Sequence, residues 1–445
     1  MSVWQKFVQW VTPPPDPRPG ITHFRGAGET EGIRLHLRIE PDGGGVLIVN
    51  AAKVVHLNST AAEMALAVLE KTPDDEAIRR LARRYRAPKE TLRRDYLDLK
   101  DKIRLLASRD DICPVTYLGL DRVEPFETRG SVPHRLDLAL TYECNNRCGH
   151  CYVARDAALP SLPDDQWRAV IRKTWDLGVP QLIFTGGEAT LHPGLPAFIQ
   201  LAEEQGQVTG LITNGRRLAD EAYLQSLIAA GLDHVQVTIE SHDPAIHDAM
   251  VSTPGAHAET EQGIRHVVAA GTYLLTNTTL SRRNVGEVER LLDFLRDLGV
   301  RQFAMNGFIH AGKGADNPDA LSETELPDVL ERVRDGAAAR VLSFLWYTPT
   351  QYCTCNPIDL GLGVKQCTAG RYNMCIEPNG AVIPCQSYFE SLGDFLRDDW
   401  GKIWGDPRLV ELREHTWVDE KCEACHDLAV CGGGCPLYRR HHPEP

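Results

Sequence analysis
Between residues 33 and 58 apolar and polar positions alternate over short runs, "IRLHLRIEP", "VLIVN" and "VVHLN", with "DGGG" after the first. The period of two predicts paired strands and the glycines a turn. The period then lengthens to that of a helix. Thr60 and Glu63 are spaced as a capping box for "AAEMALAVLEK", and Thr72 and Pro73 open "DDEAIRRLARRYR". Leu92, Tyr96, Leu99, Ile103 and Leu106 fall on one helical stripe. Strands followed by helices predict a small domain of winged-helix type over residues 33–110. Residues 1–32 precede it as an extension with a short amphipathic helix and a proline-rich spacer, "TPPPDPRPG".

Beyond a linker, 111–134, the pattern changes to strands alternating with helices. The strands are "RLDLALTY", "QLIFTGG", "VTGLITNG", "HVQVTIES", "YLLTNTTL" and "RQFAMNGFIH", separated by amphipathic stretches such as "DDQWRAVIRKTWDLG" and "VGEVERLLDFLRDLG". Such alternation predicts a parallel sheet. Six β/α units are fewer than the eight of a closed barrel, so residues 135–345 are expected to form an α/β, TIM-like partial (β/α)6 barrel. Its site belongs at the C-terminal ends of the strands. Residues 346–445 are irregular and hold nine of the thirteen cysteines.

With 445 residues, 42% hydrophobic and 24% charged, the composition is that of an ordinary globular protein of two or three domains. No run is long enough to span a bilayer, and the N-terminus lacks a sustained apolar run with a small-residue cleavage site, so a cytoplasmic protein without a membrane partner is expected. A formal net charge of −13 argues against a nucleic-acid groove, which needs a basic face. Small molecules or a peptide are the expected partners. Cysteines bunched at short spacings in a reducing compartment indicate metal rather than disulfides.

The first bunch, in "LTYECNNRCGHCYVARD", is Cys144, Cys148 and Cys151, directly after the first barrel strand. Three thiolates can hold three irons of a four-iron cluster and leave the fourth open to a ligand that is not protein. A zinc site completed by His150 or a distant cysteine is the other use of this spacing. "TGGEAT", "ITNG" and "VTIES" end the next three strands. Gly186 and Gly187 permit close backbone approach, Glu188 offers a carboxylate to an amino group, and Thr213, Asn214, Thr238 and Glu240 bring short polar groups to the same mouth. Each, taken singly, is also an ordinary turn or strand-end residue. Asn277, Asn306 and His310 sit at the same end of later strands and fit many ligands. None of these residues identifies itself as a general base.

The order CxxxCxxC, GGE, TNG and VTIES over six β/α units closely resembles the radical S-adenosylmethionine (SAM) superfamily, across residues 135 to about 310. The resemblance implies a [4Fe–4S] cluster on Cys144, Cys148 and Cys151, with SAM chelating the open iron. It implies that Gly186, Gly187 and Glu188 hold the methionine end and that Thr213 and Thr238 touch the cofactor further along. His150 stands where Tyr or Phe is common, and is expected to pack near the adenine. The implied chemistry is a 5′-deoxyadenosyl radical that abstracts hydrogen from an unactivated carbon, with an electron from a flavodoxin- or ferredoxin-type donor.

Downstream, Cys367 precedes Gly380 by twelve intervening residues and Cys385 follows it after four; Cys422, Cys425, Cys431 and Cys435 are separated by two, five and three. Zinc ribbons also use paired short spacings. The spacings resemble the SPASM domain, an extension of radical SAM enzymes that holds one or two auxiliary iron–sulfur clusters. Carried over, Cys353, Cys367, Cys385 and Cys435 would ligate the first, with Cys355 competing for the place of Cys353, and Cys422, Cys425 and Cys431 the second. The family's usual last cysteine has no counterpart in the ten residues after Cys435, so His441 or His442 is a candidate ligand, or one iron is open. Cys375 is expected to be a packed thiol, and Cys113 structural.

Residues 33–108 resemble, on "VVHLNSTAAEMALAVLEK" and "RRLARRYRAPKETLRRDY", the RiPP recognition element, the fold of the pyrroloquinoline-quinone pathway's peptide chaperone. Such domains bind a leader peptide by strand addition, and a structural or dimerisation domain is the other use of the fold. Arg79, Arg80, Arg83, Arg84 and Arg86 can receive an acidic leader or form a solvated helix face. The expected function is that of a radical SAM peptide maturase that crosslinks or oxidises a core residue. The alternatives are a side-chain-oxidising maturase of the sulfatase-maturase kind, a small-molecule radical enzyme, and an iron–sulfur electron carrier or zinc scaffold.

Overall fold
The period-two positions of the N-terminal strands all reach one core. Leu35, Leu37 and Ile39 of β2 (Arg34–Ile39), Leu47 and Val49 of β3 (Gly45–Val49), and Val55 and Leu57 of β4 (Lys53–Leu57) are buried together with Ala62, Ala65, Ile103 and Leu106. The register pairs Leu37 with Leu47 and Leu47 with Val55, so one apolar row crosses three strands. The structure, a computed structural model, describes residues 18–26, 32–50, 53–108 and 130–442. The expected first helix, most of the linker and Cys113 lie outside the described residues.

A further strand, β1 (Gly20–Arg25), lies ahead of residue 33, in the stretch expected to be an extension, and pairs antiparallel with β2. It is mostly exposed, so no alternation betrays it. The sheet order is β1-β2-β3-β4, with β4 at one edge. Helices α1 (Ser59–Leu69), α2 (Asp74–Arg84) and α3 (Lys89–Ser108) follow, and the stripe from Leu92 to Leu106 is buried as expected, with Leu99 half-buried. The capping box is not formed. Asn58 caps α1 by accepting from Ala61 N–H at 2.9 Å, because the helix begins one residue before Thr60. Glu63 is instead buried, accepting from Tyr85 Oη at 3.0 Å and pairing with Arg84 at 3.2 Å. One member of the basic run is thereby committed to its own domain.

From residue 132 the chain builds a parallel sheet of seven strands, each register continuing the last. In order they are β5 (Arg135–Thr141), β6 (Gln181–Gly186), β7 (Val208–Thr213), β8 (His234–Thr238), β9 (Tyr273–Thr279), β10 (Gln302–Asn306) and β11 (Ser343–Trp346). Helices α4 (Asp164–Asp176), α5 (Leu195–Gln205), α6 (Glu221–Ala229), α7 (Pro244–Val251), α8 (Ala256–Ala269), α9 (Val288–Asp297) and α10 (Leu326–Ala339) connect them. Six β/α units are present as expected, and β11 adds a closing strand of four residues that is too short to show a period. Trp167, Phe184, Phe198 and Phe303 are fully buried, each contributing roughly 2–3 kcal/mol of apolar burial.

The cysteine-rich segment does not stand apart from this sheet. Its strand β12 (Asn373–Ile376) pairs in parallel with β5, Asn373 opposite Arg135, and β13 (Ala381–Ile383) and β14 (Gly393–Asp394) extend it antiparallel. Five short helices, from α11 (Trp400–Trp404) through α12 (Pro407–Glu414), α13 (Glu420–Glu423) and α14 (Leu428–Cys431) to α15 (Pro436–His441), complete the chain. No helix among the described residues is long and apolar enough to cross a membrane.

Candidate functional site
The loop that carries Cys144, Cys148 and Cys151 leaves the C-terminal end of β5 and is fastened on several sides. Gly187 N–H donates to Thr141 O at 2.7 Å and Glu188 N–H to Glu143 O at 2.9 Å. A Cβ on Gly186 would lie 2.1 Å from Thr141 O, and one on Gly187 2.5 Å from Glu143 O, so both glycines are needed for the chain to approach itself. From α7, Val251 O and Met250 O accept from Arg147 and Gly149 N–H at 3.0 Å. The loop after β10 closes the other side: Lys313 N–H donates to Cys151 O at 2.8 Å and Asn317 Nδ2 to Gly149 O at 2.9 Å.

Glu188 is the hub of the mouth. Its Oε1 accepts from Thr190 N–H, Thr190 Oγ1 and Thr213 Oγ1 at 3.1, 2.7 and 2.7 Å, and its Oε2 from Asn214 N–H at 2.8 Å. The side chain is 1% exposed. Hydrogen bonds to a carboxylate contribute about 1.5–3 kcal/mol each, so the group is fixed in direction. Asn214 Nδ2 donates to Asn145 Oδ1 at 2.6 Å and lies 4.0 Å from Cys144 Sγ. Arg216 Nη1 reaches Asn145 O at 2.5 Å and Asn146 Oδ1 at 3.0 Å.

His150 is held in the mouth by one ring nitrogen. Its Nε2 is 3.0 Å from Glu240 Oε1, and Glu240 Oε2 accepts from Thr279 N–H at 2.8 Å. The ring lies 5.6 Å from that of Phe308. Burial would lower the imidazole pKa, but the charge and hydrogen bond of Glu240 outweigh it and leave it raised. Thr238 is half-buried at the end of β8. Asn277 Nδ2 donates to Asn306 Oδ1 at 2.8 Å across β9 and β10, while Asn277 Oδ1 is buried without a partner. His310 turns instead to the C-terminal helix, with ring centroids 5.0 Å from Tyr438 and His442 and 6.0 Å from His441.

The twelve described cysteines are all free thiols. Cys144 is exposed as a residue, yet desolvation of its sulfur pushes its thiol up to about 11, with Asn146 N–H, 3.4 Å away, opposing and Glu188 and Cys151 adding. Burial raises Cys148 too, and Cys151 and Cys144 are near enough to add to it. Cys144 and Cys148 resist ionisation without a cation and both lie near Cys151, an arrangement that fits an iron cluster, whose charge makes thiols into thiolates.

Cys367, Cys385 and Cys435 form a second group. Burial raises all three, pushing Cys385 up to about 12, and Cys435 lies near enough to Cys385 and Cys367 to raise both further. Cys353 is exposed and near enough to Cys431 to raise its thiol further. Cys375 is fully buried with Ala139, Tyr142 and Ile383, a packed thiol as expected. The ligand atoms of Cys425, His426 and Asp427 come within 4.8 Å of one another. Arg439 Nη1 donates to Cys422 Sγ at 3.0 Å. His441 and His442 gather at His310 and Tyr438.

The profile of the radical SAM superfamily matches residues 138–295, the strands and loops just described. Those residues are the barrel of a radical SAM enzyme. A profile described as an iron-sulfur cluster-binding domain (SPASM) matches residues 367–426, and one of coenzyme PQQ synthesis protein D matches residues 45–104. This radical SAM enzyme therefore carries a SPASM domain after its barrel and a PqqD-like domain before it, and its cofactors are SAM and iron–sulfur. The second match sets the zinc ribbon aside. Among relatives, the PqqA peptide cyclase of Streptomyces rochei is 29% identical over 319 residues, 68% of this chain and 84% of the relative. That of Granulibacter bethesdensis is 27% identical over 319 residues, 68% and 82%. The fold is shared with Streptococcus suis SuiB bound to precursor peptide SuiA, at a TM-score of 0.67 and 17% identity, over 94% of this chain and 96% of that one.

Sequence reasoning did not find Asn145, Arg216 or Asn317 as supports of the cysteine loop. Asn145 and Arg216 adjoin the CxxxCxxC and TNG motifs, and that adjacency was the available signal; Asn317 reaches back across 168 positions and had none.

Proposed function
We propose that this enzyme modifies a precursor peptide, holding the leader on the N-terminal domain and presenting a core residue at the barrel mouth. The observation that carries the reading is the joining of a PqqD-like domain to a radical SAM barrel in one chain, the barrel having PqqA peptide cyclases as relatives. Cys144, Cys148 and Cys151 would hold the [4Fe–4S] cluster and leave one iron for SAM. When bound, these cofactors supply a 5′-deoxyadenosyl radical for hydrogen abstraction, fed by a flavodoxin- or ferredoxin-type donor.

What the chain contributes is position. Oε1 of Glu188 is saturated by three donors, whereas Oε2 has one, so Oε2 keeps a lone pair that would accept from the cofactor's ammonium. Gly186 and Gly187 serve that aim by drawing the strand end against the cysteine loop, and Thr213 acts through Glu188. Thr238 would contact the cofactor further along, and His150 is a support that ties Glu240 to the cysteine loop. The C-terminal cysteines would hold auxiliary clusters that take the substrate's electron after hydrogen abstraction.

The test is anaerobic reconstitution with reductant. Wild-type protein should cleave SAM to 5′-deoxyadenosine, and the variant with Cys144, Cys148 and Cys151 all changed to Ala should not. Unchanged cleavage in that variant refutes the assignment of the three cysteines.

A further inference from the structure
We propose that Asn277 and Asn306 form a substrate-reading pair at the barrel mouth. Oδ1 of Asn277 accepts a hydrogen bond from an amide N–H of the peptide, and Asn306 is a positioning residue that fixes the amide of Asn277 in the accepting direction. The inference rests on the peptide-modifying reading and adds a contact to it.

The register puts both side chains inside the barrel. Gly215 is pressed against α8, where a Cβ on Gly263 would lie 2.3 Å from Gly215 O, and a Cβ on Gly215 would lie 2.6 Å from Val237 Cγ1. Val237 of β8 therefore faces the helical layer, and the next residue, Thr238, faces the interior. Thr238 is paired with Asn277, and Asn277 with Ala304, two positions before Asn306. All three polar side chains thus share the inner face toward the C-terminal ends of adjacent strands, where a β/α barrel holds its substrate.

The hydrogen bonds give the pair one direction. Ile239 N–H donates to Asn277 O at 2.9 Å and Leu280 N–H to Asn306 O at 2.8 Å, which fixes both backbones. Asn306 Nδ2 donates to Gly307 O at 2.7 Å. A carbonyl oxygen only accepts, so the amide nitrogen of Asn306 is pinned to that side and its Oδ1 is turned to β9. There it accepts from Asn277 Nδ2 at 2.8 Å. Reversing Asn277 would set two amide oxygens against each other. Oδ1 of Asn277 is left buried and without a partner among the described residues.

Asn277 is 9% exposed, and a buried acceptor with no donor is destabilising until a ligand supplies one. The matching group is neutral, because the pair carries no charge and Glu188, the carboxylate proposed for the cofactor's ammonium, follows β6, three strands away. The proposed SAM contacts end with Thr238 on β8, so β9 and β10 border the place left for the peptide. A peptide offers one N–H at nearly every residue, and an acceptor here selects that N–H over the neighbouring carbonyl.

The experiment uses full-length enzyme, reconstituted anaerobically, loaded with SAM and left unreduced. A synthetic cognate core peptide without its leader is titrated calorimetrically into wild type, Asn277→Ala, Asn306→Ala and the double variant, and SAM binding is measured by equilibrium dialysis. Asn277→Ala should weaken peptide binding about three- to tenfold, the range for one neutral hydrogen bond, and by more than it weakens SAM binding. Asn306→Ala should act in the same sense, and the double variant should lose no more than Asn277→Ala, since Asn306 acts through Asn277. In a series of peptides N-methylated at one residue each, one member should lose affinity for wild type and lose nothing further for Asn277→Ala. If Asn277→Ala does not fold, the same series with Asn306→Ala decides, the penalty of that member being smaller there than in wild type. The assignment is overturned if no member is coupled to the pair, or if SAM affinity falls as far as peptide affinity, which gives the acceptor to the cofactor's nucleoside. Wild-type enzyme that cleaves SAM on reduction yet neither binds nor changes the peptide refutes peptide modification itself, and the inference with it.

Discussion
Asn214 Nδ2 donates to Asn145 Oδ1 at 2.6 Å, so the end of β7 grips the cysteine loop that leaves β5, two strands away. The same asparagine donates its backbone N–H to Glu188. Loop and carboxylate are thus set by one residue. Asn214→Ala keeps the backbone donor and removes the grip, and supports of this kind are worth 10- to 100-fold in metal affinity or activity. The expected outcome is at least about tenfold slower 5′-deoxyadenosine formation, with faster iron loss to a chelator from the barrel site alone.

Gly187→Ala should act on folding before chemistry. Its Cβ would meet the carbonyl oxygens of Glu143 and Tyr142, both at 2.5 Å, and backbone atoms cannot rotate away as side chains do. A loss of roughly 3 kcal/mol or more, the range of severe single substitutions, is expected in denaturant unfolding. A stable variant with normal cleavage would contradict the close approach.

His234, at the start of β8, gives a pH signature away from the mouth. Burial, reinforced by the charge of Arg135, pushes its pKa down to about 4. The folded state therefore binds fewer protons there than the unfolded chain, whose histidine titrates near 6.5. The contribution to stability is full above that value and is lost as pH falls from about 6.5 to 4, up to about 3 kcal/mol. Unfolding curves at pH 7.5 and 4.5 should show a smaller acid loss in His234→Asn than in wild type. An equal loss in both would show that this histidine does not stay neutral when folded.

Removing residues 1–110 should leave basal SAM cleavage largely intact while abolishing turnover of the cognate peptide at low concentration. The proposed cofactor contacts lie between 144 and 240, whereas the proposed leader site is on the N-terminal sheet, with β4 at its edge. A tethered leader raises the core residue to roughly millimolar effective concentration, so its loss weakens capture more than chemistry. Mass spectrometry of full-length and leaderless peptide with both enzyme forms measures this. Equal processing by both forms at low peptide concentration would remove the leader-binding role.

The barrel and its mouth were legible because their signals are local. Strands buried on both faces read as apolar runs, and Cys144, Glu188, Asn214 and Glu240 each sit where a strand ends. The legible part stops where spacing stops informing. Thr60 was read as part of the cap because "LNST" offers several capping residues in succession, and only the helix start selects Asn58. β1 and β11 are too exposed or too short to carry a period. The neighbour of Cys353 is 78 positions away, and nothing in the intervening residues encodes which thiol it approaches.

The parallel pairing of β12 with β5 has a mechanical consequence. Barrel and SPASM strands share one hydrogen-bonded sheet, and Glu377, just after β12, is bonded by Tyr142 and Arg155 on either side of the cysteine loop, at 3.1 and 2.8 Å. A hinge between the two halves would have to break that ladder. Electron tunnelling between metal centres falls steeply with separation, and clusters held on the two halves would keep the separation that this shared sheet sets.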